Sequence, residues 1–262
     1  MDWNLKTLEE KLIHQLFGRR LHYFSDIEST NDEAFTLGRD GAAEGTAVIA
    51  ERQSRGRGRF QRSWHSPAGA NIYTSIILRP TLPPEAASRI PIMAGVAVAD
   101  TLASYCSANV RLKWPNDILI KDKKVCGILS RAKISEKKID FIVLGIGLNV
   151  NMKPYEFTEE IIDSATSLAM ETGRDISREY LIIHLYENLE KWYKKLQQKG
   201  FGPVKKRWLE LAPMIGQKVQ VIFKGELIKG TATGMDNDGH LLVLDKNNRE
   251  VKVSTGDATI MR

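Results

Sequence analysis

Residues 90–106 are Ala-rich and apolar almost all the way round a helical wheel. A helix of that kind has no face to give to water, so it belongs in an interior rather than on a surface. The rest of the chain has to enclose it. A length of 262 residues, at a soft prior of about 150 per domain, predicts one large unit with a small one beside it. With 42% hydrophobic and 27% charged residues the composition is globular and not that of a disordered chain. No run reaches the ~18 uninterrupted apolar residues of a membrane span, which argues against an integral membrane protein. The N-terminus, Met1-Asp2-Trp3-Asn4-Leu5-Lys6, lacks the apolar core of a signal peptide. The two cysteines, Cys106 and Cys126, have no close Cys/His companions. That excludes a disulfide framework or zinc site and predicts a cytoplasmic chain with reduced thiols. A net charge of +6, from 38 Lys+Arg and 32 Asp+Glu, suits an anionic ligand, a nucleotide or a nucleic acid without choosing among them.

Around the buried helix, apolar spacing predicts an amphipathic helix over 3–18. The N-cap cluster Ser29-Thr30-Asn31-Asp32-Glu33 predicts a second helix running through Leu37. Strands are predicted over 45–50 and 71–78, then over 110–114, 124–132 and 139–145, with a charged turn at 121–124 joining the first two of that trio. Helical periodicity returns over 178–198 and 204–211. After Pro213 the texture changes to short β-rich runs, 219–223, 227–233, 241–244 and 250–253, separated by Asn/Asp/Gly turns. Their spacing predicts a small barrel and a boundary within 200–216, hence a unit over 1–213 followed by one over 214–262.

Several segments carry chemistry. Between two predicted strands, Gln53-Ser54-Arg55-Gly56-Arg57-Gly58-Arg59-Phe60-Gln61-Arg62 alternates arginine with glycine and is followed by Ser63-Trp64. Glycine lets backbone approach a ligand closely, and each guanidinium offers a planar fork of donors to carboxylate or phosphate. Like charges at this density predict a mobile loop before binding; an RNA-binding Arg/Gly segment or a solvated connector would read the same way. In Arg111-Leu112-Lys113-Trp114-Pro115-Asn116-Asp117 a cation, an amide and a carboxylate emerge at a strand end, a pattern also met in a capped Pro-Asn-Asp turn. Lys124 opens an apolar strand with Gly127 embedded in it, which marks a bulge or close backbone approach. Gly145-Ile146-Gly147-Leu148-Asn149-Val150-Asn151 is not a dinucleotide fingerprint, since the third glycine and the following long helix are missing. The histidines His14, His22, His65, His184 and His240 assemble no catalytic triad or His-x-x-x-His pair.

In their order and spacing, Ser29-Thr30-Asn31, Gly56-Arg57-Gly58-Arg59 with Arg62 and Trp64, Ser66-Pro67 leading to Asn71-Ile72-Tyr73, Lys113-Trp114-Pro115-Asn116-Asp117, Lys124 with Gly127, and the 145–151 stretch resemble the biotin–protein ligases. The resemblance covers residues 20–262. It implies an α/β (α+β) fold: a class II synthetase-like mixed sheet flanked by helices, then an SH3-like β-barrel. It implies a two-step reaction in which biotin and MgATP give biotinyl-5′-AMP, after which a lysine of a biotin carboxyl carrier protein takes the biotinyl group. Carried over position by position, it implies a catalytic set of Arg57, Arg59, Lys113, Asp117 and Lys124. It puts Ser29, Thr30, Asn31, Gln53, Arg57, Gly58, Arg59 and Lys124 around biotin. Arg59, Arg62, Trp64, Lys113, Asn116, Lys124 and Asn149 fall around ATP or the adenylate, with Trp64 against the adenine and Asn116 beside Mg²⁺. Asp117 is expected to orient the incoming lysine or accept its proton. Relatives pair by their catalytic sheets, which implies a homodimer. Some relatives carry an N-terminal DNA-binding domain; the 28 residues before Ser29 leave no room for it, so a monofunctional ligase without operator or membrane binding is expected.

Gln61 stands where the family often has glycine, which predicts a stiffer loop. Lipoate–protein ligase is the nearest rival, but its Arg-Arg-x-x-Gly-Gly-Gly stretch is absent. A nucleic-acid-binding protein is the rival of another class; beside the basic loop, only Phe60 and Trp64 offer stacking platforms.

Overall fold

The computed structural model describes residues 3–261; residues 1, 2 and 262 of the two expected units, with the first two of the N-terminal segment, lie outside the described residues. The chain runs through α1 (Leu5–Leu12), β1 (Leu21–Ile27), α2 (Thr30–Arg39), β2 (Ala47–Gln53), β3 (Ile72–Leu78), α3 (Arg89–Ala103), β4 (Val110–Lys113) and β5 (Asp117–Ile120). It continues through β6 (Lys123–Ser135), β7 (Lys138–Leu148), α4 (Leu168–Thr172), α5 (Arg178–Lys199) and α6 (Gly202–Leu211). The final strands are β8 (Lys218–Phe223), β9 (Glu226–Met235), β10 (Leu241–Asp245), β11 (Glu250–Val253) and β12 (Thr259–Ile260).

Seven strands form one mixed sheet in the order β1-β2-β3-β7-β6-β5-β4, parallel only at β1–β2. Alternation along its central strands decides what each face does. Ile72, Ile76 and Leu78 of β3, with Ile142, Leu144, Ile146 and Leu148 of β7, point into the main core. There they join Ile90–Leu102 side chains of α3 and the inner stripe of α5. The opposite face buries Val48, Ile77, Phe141 and Val143 under Ala34 of α2. Covered on both sides, β3 is buried along its whole length, which is why it reads as an unbroken apolar run. The stretch 84–103 has the length and composition of a membrane-crossing helix, yet most of it is buried inside the protein. As its all-round apolar pattern demanded, it is enclosed by the sheet, α5 and α6.

The remaining strands make a five-stranded antiparallel sheet in the order β11-β10-β9-β8-β12. Its inward side chains, among them Val219, Val221, Leu241 and Val243, merge with the main core. The β9–β10 turn is bonded to the larger sheet's surroundings. Trp114 Nε1 donates to the Gly239 carbonyl at 3.0 Å, Arg89 Nη2 reaches Asp238 Oδ1 at 3.0 Å, and Ser88 Oγ donates to the Asp238 carbonyl.

Several expectations need correction. The first helix spans only Leu5–Leu12; from its C-cap Ile13 the chain runs through turns that include Gly18, held at positive φ. Strands β1, β5 and β12 were not anticipated. β1 is a sheet edge with no regular alternation of exposure, and β5 and β12 are too short to stand out. The charged turn at 121–124 joins β5 to β6, not the 110–114 strand to β6.

Candidate functional site

The cavity that collects most of the predicted residues is built by glycines. On the α2 side of the sheet, beyond Phe141 and Val143, the next two residues of β7 facing that way are Gly145 and Gly147. Their register partners on this face are Ser75 and Tyr73 of β3 and Leu129 and Gly127 of β6. Where side chains would fill the space between sheet and α2, these positions leave a floor of bare backbone, and a cavity of about 270 Å³ opens above it. A Cβ on Gly147 would stand 2.5 Å from Nε1 of Trp64, whose indole lies on the strand; one on Gly145 would stand 2.8 Å from Asn31 Nδ2.

The inner wall is the start of α2. Ser29 caps the helix by position, but its side chain makes no capping bond. Thr30 donates from N and Oγ1 to Gln53 Oε1 at 2.9 and 3.1 Å, and its hydroxyl also meets Ser75 Oγ at 2.9 Å. Gln53 Nε2 donates to Ser66 Oγ at 3.0 Å, so the amide is fixed from both ends. Three polar atoms of cavity-lining residues are buried without a hydrogen-bond partner: Ser29 Oγ, Asn31 Nδ2 and Trp64 Nε1. Buried polar groups are normally satisfied, so three orphans around one cavity are the mark of a polar ligand.

The outer wall is the Arg/Gly loop, folded back on itself: Gly58 N donates to the Arg62 carbonyl at 2.7 Å and Trp64 N to the Gly56 carbonyl at 2.8 Å. A Cβ on Gly56 would collide with the Trp64 carbonyl, so this return requires glycine. Phe60 and Gln61 at its tip both adopt positive φ, 55° and 61°. Gln61 thus holds a conformation that glycine takes without strain, a physical reason for the residue usual in the family.

Carboxylates pair with each arginine of the loop and offset part of the repulsion expected from the sequence. Arg57 Nε lies 2.6 Å from Asp32 Oδ2, Arg55 Nη1 3.3 Å from Glu28, and Arg59 and Arg62 share Asp257. Burial pulls the Arg59 guanidinium's pKa down, opposed by Asp257 and Asp117, and arginine stays charged regardless. Lys124 Nζ sits 2.6 Å from Asp117 Oδ1 and 5.3 Å from the centre of the Trp64 ring.

Of the residues singled out from the sequence, Ser29, Thr30, Asn31, Gln53, Arg57, Gly58, Arg59, Arg62, Trp64, Asn116, Asp117, Lys124 and Asn149 all line this cavity. Lys113 does not; it lies at the end of β4, outside the lining. Asn116 is already engaged, donating to the Ile128 carbonyl at 2.6 Å and accepting from Arg59 Nη1 at 3.3 Å. Asn149 donates to the Thr166 carbonyl at 3.0 Å, tying the 152–166 segment to the cavity rim. Trp64 rests on Gly127 and Gly147, not on an open platform. Each carboxylate in the lining faces a cation, Asp117 on Lys124 and Asp257 on Arg59 and Arg62. This donor set does not fit a resident divalent metal. Sequence reasoning missed Ser75, Asp257 and the apolar Met152, Phe157 and Ile161 of the rim. The alternation of β3 would have pointed to Ser75, while no local signal marks Asp257.

The arrangement has two ends: a glycine-floored slot with unsatisfied polar atoms, and a cationic rim suited to carboxylate and phosphate. Comparison with known proteins agrees in kind. Residues 23–149 match the biotin/lipoate A/B protein ligase family, and residues 214–260 match the biotin protein ligase C-terminal domain. The chain is 36% identical to the bifunctional ligase/repressor BirA of Bacillus subtilis, over 93% of this chain and 74% of that one. It is 34% identical to the biotin–[acetyl-CoA-carboxylase] ligase of Mycobacterium tuberculosis, over 98% and 95%. The structure of a biotin protein ligase from Aquifex aeolicus in complex with biotin and ATP superposes with a TM-score of 0.79 at 29% identity, covering 93% of this chain and 99% of that one.

Proposed function

This chain belongs to the biotin/lipoate A/B protein ligase family, as a biotin protein ligase, and from that premise we propose how its cavity divides the work of the reaction. Biotin takes the glycine-floored slot, with its ureido ring against Ser29, Thr30, Asn31 and Gln53 and its carboxylate toward Arg57, Arg59 and Lys124. ATP lies along the cationic rim. The carboxylate oxygen attacks the α-phosphorus, pyrophosphate leaves, and biotinyl-5′-AMP forms. Negative charge gathers at phosphorus in this step, and Arg59, Arg62 and Lys124 stabilise it electrostatically. Magnesium enters with the triphosphate, as MgATP.

In the second step a lysine amine of a biotin carboxyl carrier protein attacks the acyl carbon, AMP leaves, and an amide forms. Asp117, held against Lys124, orients the incoming ammonium and takes its proton. Single-turnover transfer from preformed adenylate tests this role: Asp117→Asn slows it, and an unchanged rate removes Asp117 from the step.

The observation that carries the reading is the trio of unpartnered polar atoms, Ser29 Oγ, Asn31 Nδ2 and Trp64 Nε1, beside the bare-backbone floor. They favour a small polar ring over the purely apolar tail of a lipoyl group. The decisive experiment is ATP–pyrophosphate exchange with biotin and, in parallel, lipoate. Exchange with biotin is expected; exchange with lipoate alone would keep the chemistry and move the substrate.

A further inference from the structure

Asp257 belongs to the small C-terminal sheet, in the turn between β11 and β12, yet it lines the cavity of the large one. Its two oxygens go to two different arginines: Oδ1 to Arg59 Nη1 at 2.8 Å and Oδ2 to Arg62 Nη1 at 2.9 Å. An anion shared oxygen by oxygen between two guanidinium groups occupies a position that a phosphate, another acceptor of charge-assisted hydrogen bonds from arginine, can also take. A simple tether between the two sheets would not need it. Arg59 already reaches the same turn through the Gly256 carbonyl at 3.0 Å and Thr255 Oγ1 at 3.4 Å. The carboxylate does something further: it offsets half the charge of a like pair whose repulsion would otherwise push them apart while no anion is bound.

On the reading above, those two arginines form part of the polyphosphate subsite. We propose that Asp257 is the resident counter-ion of that subsite, holding Arg59 and Arg62 in place while the cavity is empty and exchanged for phosphate oxygens when nucleotide enters. The exchange has two consequences. ATP binds against a competitor built into the chain, so its affinity is lower than the arginines alone would give. The 255–257 turn loses its charged partners when the nucleotide arrives, so occupancy of the site is transmitted to the C-terminal sheet.

The test is calorimetric binding of inorganic pyrophosphate and of ATP to the full chain and to Asp257→Asn. The variant is expected to bind pyrophosphate about 1.5- to fivefold more tightly, the range of a partly exposed ion pair. A merely structural Asp257 would give the opposite sign, and equal or weaker pyrophosphate binding by the variant overturns the proposal. A second measurement needs no variant: amide hydrogen exchange over 254–258 in the wild-type chain is expected to quicken on adding ATP, and slowing would overturn the exchange. The outcomes separate from those of the ligase reading. If the wild type supports no biotin-dependent pyrophosphate exchange, that reading fails, whereas tighter pyrophosphate binding by Asp257→Asn still supports the counter-ion.

Discussion

Ser29 stands at the start of a helix, but its hydroxyl bonds to nothing in the chain. Removing it therefore costs no cap. Ser29→Ala is expected to leave the unfolding free energy within about 0.5 kcal/mol of wild type while weakening biotin about tenfold, the worth of one buried hydrogen bond to a ligand. Paired denaturation and binding measurements check this, and a stability loss without an affinity loss would make Ser29 structural. Gly147 tests the floor. Its Cβ would fall 2.5 Å from the Trp64 ring, so Gly147→Ala is expected to cost about 1–3 kcal/mol by overpacking and to abolish pyrophosphate exchange. Gly95 is the control: a Cβ there meets its nearest atom, of Leu112, at 3.6 Å. Since it lies inside α3, Gly95→Ala should raise stability by about 0.5–1 kcal/mol. The sequence reveals the residue types at the site well, because arginine, glycine and asparagine at turns are conspicuous. It does not reveal Asp257, whose role arises from a docking 198 residues away from Arg59 in the chain.

At the scale of elements, the end of β2 is fixed to the start of α5 by a buried ion pair, Arg178 Nη1 and Nη2 on the two oxygens of Glu51 at 2.9 and 3.0 Å. Glu51 also accepts from Gly69 N at 3.0 Å, so the pair sets the angle at which the chain leaves the sheet beyond the Arg/Gly loop. Arg178→Met would leave that carboxylate buried without its partner and is expected to cost about 3–5 kcal/mol in chemical denaturation. Adding Glu51→Gln should recover part of the loss. Strands buried on both faces and the all-round apolar helix were legible, since burial writes itself into composition. Two strands of the large sheet, the edge strand β1 and the short internal β5, were not. β1 keeps one side open and needs no apolar alternation, and β5 has four residues after Pro115 in which to show any.

Across the whole molecule, the β9–β10 turn that docks beside Ser88, Arg89 and Trp114 is organised by Asp236. Burial by itself would raise that carboxyl's pKa, but the backbone N–H groups of His240 and Asp238 and the ring of His240 outweigh it and hold the pKa below the ordinary value. A depressed folded-state pKa means stability that is present above about pH 4 and lost as pH falls through the folded value. Asp236→Asn is accordingly expected to destabilise the protein at pH 7 and to cost progressively less as pH falls below about 4, as read from denaturant midpoints along that range. The strands of the small sheet were legible as short β-rich runs after Pro213; the docking of their β9–β10 turn was not, because it rests on single bonds.

The bare floor at Gly127, Gly145 and Gly147 has a consequence for how this pocket can change over time. Glycine is already the smallest residue, so every substitution there adds atoms and none removes them. At this end the pocket can be made shallower in one mutational step and deeper in none. Any drift toward a bulkier acid must come from the walls, through Asn31, Trp64 or the rim residues Phe157 and Ile161, while the floor acts as a ratchet that turns only toward narrower choice.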